Sequence, residues 1–171
     1  GTPLPSPIPT PIPEPVPPPE PPATFLKLGP HSQSARPGLM DAIKQIRPRL
    51  AKTMFHDAGF WREVKVNQPD LFVIGRLYDL QQGWANDPAG RGKAFADRVL
   101  DTTPAAELYD AVESYNEWFS YSNPDSWALA DIFQAAFYDQ IKARAPHLEP
   151  IAGNCGTGNL LGEDWVKHFP R

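Results

Sequence analysis

The chain has 171 residues, a net charge of −4 and 41% hydrophobic content, which is enough apolar material for one ordinary domain. Charges of both signs are mixed along it and no basic run occurs, so a nucleic-acid partner is not expected; nor does any apolar stretch approach the ~18 residues of a membrane-crossing helix. One cysteine, Cys155, excludes an internal disulfide and a cysteine-rich metal site and leaves the redox compartment open.

The first 22 residues carry 12 of the 22 prolines, from Pro3 to Pro22. Proline fixes φ and removes a backbone donor, so neither a helix nor a central strand can form there. Residues 1–22 therefore read as an extended proline-rich linker of polyproline-II type, rising roughly 3 Å per residue. A proline-rich ligand for a partner domain is a further reading. A spacer implies something on its other side, which predicts a modular polypeptide, secreted or attached to a cell surface.

Residues 23–171 hold the folded part. Phe25–Leu28 is a short apolar run bounded by Pro22 and Gly29-Pro30, and reads as a first buried strand. Leu39, Ile43, Ile46 and Leu50 follow at helical spacing, with a stop near Pro48. Lys52–Phe55 reads as a second strand, and Phe60–Val64 as a short helix or turn. Leu71–Ile74 is four apolar residues without alternation, which suits a strand covered on both faces. Ala89–Leu100 reads as a helix with Phe95 and Val99 on one face. Tyr109–Tyr115 reads as a fourth strand.

Asn123-Pro124-Asp125 combines a capping residue, a proline at the first helical position and an acid in the first turn. It predicts a helix through Ala130, Phe133, Phe137 and Ile141 that stops at Pro146. His147–Ala152 reads as a fifth strand, followed by a glycine-rich loop from Gly153 to Gly158.

Alternation of strand and helix predicts an α/β fold with a parallel sheet. An open doubly wound sheet and an eight-stranded barrel are the two solutions. A full barrel takes about 250 residues, so five units would be its first part. In either case functional residues lie beyond the carboxyl ends of the strands. Those positions hold His31 and Gln33, then His56 and Asp57, then Arg76, Tyr78 and Asp79, then Asn116, Glu117 and Trp118, then Asn154 and Asn159. Loops are polar in any protein, so this pattern alone does not separate a cleft from an ordinary surface.

Glu113-Ser-Tyr-Asn-Glu-Trp118 resembles the Glu-x-x-Asn-Glu signature that ends the fourth strand of clan A glycoside hydrolases. The resemblance implies a parallel (β/α) barrel of TIM type, with about its first five β/α units in residues 23–171 and the proline-rich arm ahead of them. It implies Glu117 as general acid/base and Asn116 as a ligand to the sugar 2-hydroxyl. His31, His56, Asp57, Arg76, Tyr78, Trp84, Trp118 and Asn154 become candidate substrate-binding residues. Trp118 stands where the family usually has proline or a small residue.

Such an enzyme would be a retaining O-glycosyl hydrolase acting on polysaccharide. A retaining mechanism needs a second carboxylate about 5–5.5 Å from the first. In the family that nucleophile ends strand seven, and Glu163 and Asp164 follow strand five. The alternative is a non-catalytic carbohydrate-binding or surface-structural protein on the same scaffold. A half barrel exposes two strand edges, which predicts other subunits or the missing half as partners.

Two local features also arise. Asn116 and Glu117 can share a cleft only if the strand ends or bulges there, because alternation otherwise sends them to opposite faces. Glu113, deeper on the strand, is expected to pair with a cation. No cofactor and no metal are expected: the loop Gly153–Gly158 lacks a P-loop lysine, and His31, His56 and Asp57 read more simply as hydrogen-bonded cleft residues. Among the tryptophans Trp61, Trp84, Trp118 and Trp127, a sugar-stacking role suits Trp84 and Trp118 best, and Trp127 reads as core.

Overall fold

The computed structural model describes residues 29–79, 86–116 and 124–152. The elements are β1 (His31–Ser32), α1 (Leu39–Ile46), β2 (Leu50–Thr53), α2 (Ala58–Asn67), β3 (Phe72–Arg76), α3 (Pro88–Thr102), α4 (Ala105–Leu108), β4 (Ala111–Glu113), α5 (Pro124–Arg144) and β5 (Glu149–Ile151). The five strands form one parallel sheet in the order β1-β2-β3-β4-β5. A doubly wound sheet reverses its order at a switch point, and these strands run without any reversal.

Several boundaries differ from expectation, each for a local reason. The expected strand Phe25–Leu28 lies outside the described residues; β1 begins at His31, so this histidine sits in a strand and not after one. Helix α1 stops at Ile46 because Arg47 adopts a left-handed conformation with φ 47° and its N–H bonds back to the Ile43 carbonyl. The residue before a proline disfavours helix, and Pro48 follows. Leu50 is thereby released from the helical stripe to open β2.

Strand β2 ends at Thr53. There Thr53 Oγ1 accepts from Phe55 N–H at 2.9 Å and lies 2.8 Å from the Phe55 carbonyl, to which it donates. Helix α2 is longer than expected because Asp57 caps it, Oδ1 accepting from Phe60 N–H at 2.7 Å. Asp87 caps α3 in the same way through Gly90 N–H, with Pro88 at the first helical position. The short α4 after Pro104 has no counterpart in the sequence reading.

The core lies between one face of the sheet and the helices. Ala51, Val73 and Val112 from the strands are fully buried with Ile43, Trp61, Val64, Phe95, Val99, Phe133, Phe137 and Ile141 from the helices. Each fully buried aliphatic or aromatic side chain contributes about 1.5–3 kcal/mol, so this layer dominates the favourable side of folding. The expected α5 stripe of Ala130, Phe133, Phe137 and Ile141 is buried along its whole length, and Trp127 joins it. Gly92 lets α3 approach α5: a Cβ there would lie 2.3 Å from the Phe133 carbonyl oxygen.

The other sheet face is different. By alternation it presents Leu50 and Lys52 of β2, Phe72, Ile74 and Arg76 of β3, Ala111 and Glu113 of β4, and His31 of β1. Its charged residues lie toward the carboxyl ends of the strands. That end is where the two α/β architectures considered above place their ligands.

Candidate functional site

Four charged or titratable side chains share the face turned away from the helices. His31 of β1 is in register with Lys52 of β2, and Arg76 of β3 is in register with Glu113 of β4. Glu113 is 5% exposed, yet it does not pair with its register neighbour. Its Oε2 lies 2.5 Å from the Lys52 ammonium, two strands away. Lys52 can reach it because the lysine stem lies over β3, between the two. The expectation that Glu113 pairs with a cation is thus met by Lys52, which sequence reasoning placed only as a strand residue. A lone lysine in Leu-Ala-Lys-Thr, where alternation points it away from the helices, was the available signal.

Among the described residues no carboxylate forms an ion pair with Arg76, which is half-buried at the carboxyl end of β3. Asp79 pairs with Arg98 at 2.8 Å. His31 is held below the usual histidine range, first by partial burial and then by the charges of Lys52 and Arg76; the Glu113 carboxylate opposes this less strongly. His31 also lines a shallow hollow of about 180 Å³ with Ser32, Gln33, Ser34, Arg36 and Leu39.

His56 has a different setting. Its Nδ1 is 2.8 Å from the Tyr109 hydroxyl, and the Tyr109 ring lies against Trp61 on the helix side of the sheet. Gly75 makes room for that ring, since a Cβ there would come within 2.2 Å of it. Burial pushes His56 down, and a hydrogen bond to the Arg76 backbone only partly offsets this. Burial likewise pushes the Tyr109 phenol up. Both shifts favour the uncharged forms of the pair, which share one hydrogen bond between the phenol oxygen and the imidazole Nδ1. His56 ties the end of β2 to the helix-facing layer, and Asp57 beside it is engaged as the α2 cap. Trp61 is 1% exposed and belongs to the core, which removes it from the possible stacking platforms.

Strand β4 ends at Glu113, and its alternation breaks there. Glu113 and Tyr115 would share a face in a continuing strand. Instead the Tyr115 ring stacks on Phe133 at 4.4 Å and meets Phe95 at 4.6 Å, both on the helix side. Ser114 N–H still bonds the Ile151 carbonyl at 3.3 Å. This is the end or bulge that Asn116 requires; Asn116 is half-buried immediately after it. Tyr78 is 56% exposed beyond β3. Glu117, Trp84, Trp118 and Asn154 lie outside the described residues, as do Cys155 and the loop Gly153–Gly158.

Among the described residues no group of three histidine, cysteine or carboxylate side chains could hold a metal ion. No helix there is long and apolar enough to cross a membrane. Comparison of the chain with protein-family profiles, with curated proteins and with solved structures returned no match.

Proposed function

We propose that the chain is the first part of a TIM-type (β/α) barrel and serves as a glycoside hydrolase-like module acting on or binding polysaccharide. Asn116 and Glu117 stand at the saccharide cleft, with Glu117 as general acid/base. The observation that carries this reading is the uninterrupted parallel order β1 to β5, with Glu113 closing the fourth strand and Asn116 directly after a break in its alternation. Sequential parallel strands joined by crossovers of one hand put their helices on one side, which curves the sheet toward closure. The polar face then becomes the barrel interior at its carboxyl end.

The chemistry needs a carboxyl group that donates a proton to the leaving glycosidic oxygen and then activates water. A site on such a rim can hold that group partly desolvated, which keeps it protonated near neutral pH. The second carboxylate of a retaining pair belongs to strand seven of a complete barrel. The proline-rich composition of residues 1–22 supports a place for the module in a secreted or surface-attached polypeptide.

The test is hydrolysis of a panel of aryl glycosides and polysaccharides by the protein and by its Glu117→Gln variant. Loss of about 10²–10⁴-fold in turnover is expected for removal of a general acid/base. Full activity in the variant removes Glu117 from the role. Saccharide binding that is unchanged in the variant, with no hydrolysis by either protein, favours the binding module over the enzyme.

A further inference from the structure

The polar sheet face carries more positive than negative charge. Lys52 and Glu113 neutralise one another at 2.5 Å, which leaves the Arg76 guanidinium without a carboxylate partner among the described residues. The arrangement is unexpected, because Glu113 is Arg76's neighbour in register and a buried carboxylate ordinarily takes the nearest guanidinium. Lys52 has displaced Arg76 from that role. Arg76 is half-buried at the rim, and Tyr78 two residues on is largely exposed. The Arg76 charge also reaches across the face to His31, which it helps to hold in the neutral form.

A planar guanidinium fixed in such a place binds a carboxylate through two parallel hydrogen bonds and discriminates against neutral groups of the same shape. We propose that the rim of this sheet is a subsite for an acidic sugar, with Arg76 receiving the carboxylate of a uronosyl residue and the Lys52–Glu113 pair keeping Arg76 available. This rests on the saccharide reading above and narrows it to a substrate class. Lys52 is a positioning residue in this scheme: it occupies Glu113 so that Arg76 does not.

The experiment is titration of the 171-residue chain, followed by amide and side-chain NMR, with D-glucuronate and D-galacturonate against D-glucose and D-galactose, and with acetate as a carboxylate lacking the ring. The uronates should bind at least tenfold more tightly than the neutral sugars and than acetate. That preference should shrink as salt is raised. Arg76→Gln should reduce it to within about twofold. Arg76→Lys, which keeps the charge and loses the fork, should give an intermediate ratio and serves if the glutamine variant does not fold.

Equal affinity for uronate and neutral sugar overturns the acidic-sugar subsite and leaves the saccharide reading standing. A preference that survives Arg76→Lys and Arg76→Gln overturns the role of Arg76. Acetate binding as tightly as uronate reduces the site to a bare anion site and overturns the proposal. Absence of binding by any sugar sinks both readings together. Uronate selectivity through Arg76 with no glycoside hydrolysis supports the subsite and refutes only the catalytic part.

Discussion

Replacing Lys52 by methionine keeps the stem and removes the charge that faces Glu113. Glu113 is 5% exposed and its Oε2 has the Lys52 ammonium at 2.5 Å, so the variant strands a carboxylate in a low-dielectric site. Breaking a buried pair from one side costs about 3–5 kcal/mol. The protein has two escapes, which set a ceiling: the carboxyl can take up a proton, or Arg76, its neighbour in register, can turn to it. At pH 7, protonating a glutamate of ordinary affinity costs about 3.7 kcal/mol, at about 1.36 kcal/mol per pH unit. The deficit of Lys52→Met at pH 7 is therefore at most about 3–4 kcal/mol. For a chain of this size that lowers the melting temperature by at most about 6–16 °C.

The sign with pH follows. Relative to the wild type, the variant's folded state binds a proton more readily than its unfolded chain does, so its deficit shrinks as pH falls toward 5. Removing the other partner is milder. Glu113→Gln leaves Lys52, whose side chain is 24% exposed and can turn to water. The double variant Lys52→Met, Glu113→Gln should recover most of the loss. Thermal melts followed by circular dichroism at pH 7 and pH 5 measure all of these. A larger loss in Glu113→Gln than in Lys52→Met would refute the placement of Glu113 as a buried carboxylate neutralised by Lys52.

His56 has its proton affinity lowered by burial, so it contributes stability that is full above its unfolded pKa of about 6.5 and is lost as pH falls through its lower folded value; urea melts between pH 7.5 and 5.5 should show a weaker acid-side loss in His56→Gln than in the wild type. Gly92→Ala should destabilise by about 1–3 kcal/mol through the clash with the Phe133 carbonyl, although alanine is the better helix former by about 1 kcal/mol, and a thermal melt decides which effect wins. Asp57→Ala should cost about 1 kcal/mol in the same assay, from loss of the α2 cap, and leave any saccharide affinity unchanged.

Periodicity and punctuation were enough to reveal most of the architecture. The α5 stripe, the proline that opens α5 and the apolar run Leu71–Ile74 are local features, and local features are what a sequence displays directly. Boundaries shifted where a competing local bond intervened, as at Arg47 before Pro48 and in the Thr53 turn to Phe55. The site was legible only as a list of strand ends. Nothing in the order of residues tells that His56 turns to Tyr109 on the helix side, since that contact spans 53 positions and depends on Gly75 leaving room for the ring. Asp57 could have been recognised as a cap from its place before the helix. Lys52 was hidden because a charged residue inside a strand has meaning only once the sheet brings it within reach of Glu113, two strands away.

The burial pattern on the polar face differs between its two ends. On a sheet face open to water, charged groups are expected outside and apolar groups tucked under them. Here Leu50 and Phe72, toward the amino ends of β2 and β3, are 37% and 39% exposed, while Glu113 near the other end is 5% exposed. An acid is more deeply buried than its apolar neighbours on the same face. The exposed Leu50 and Phe72 and the enclosed Lys52–Glu113 pair set the two ends of this face apart: apolar and open at the amino ends of the strands, charged and enclosed at the carboxyl ends.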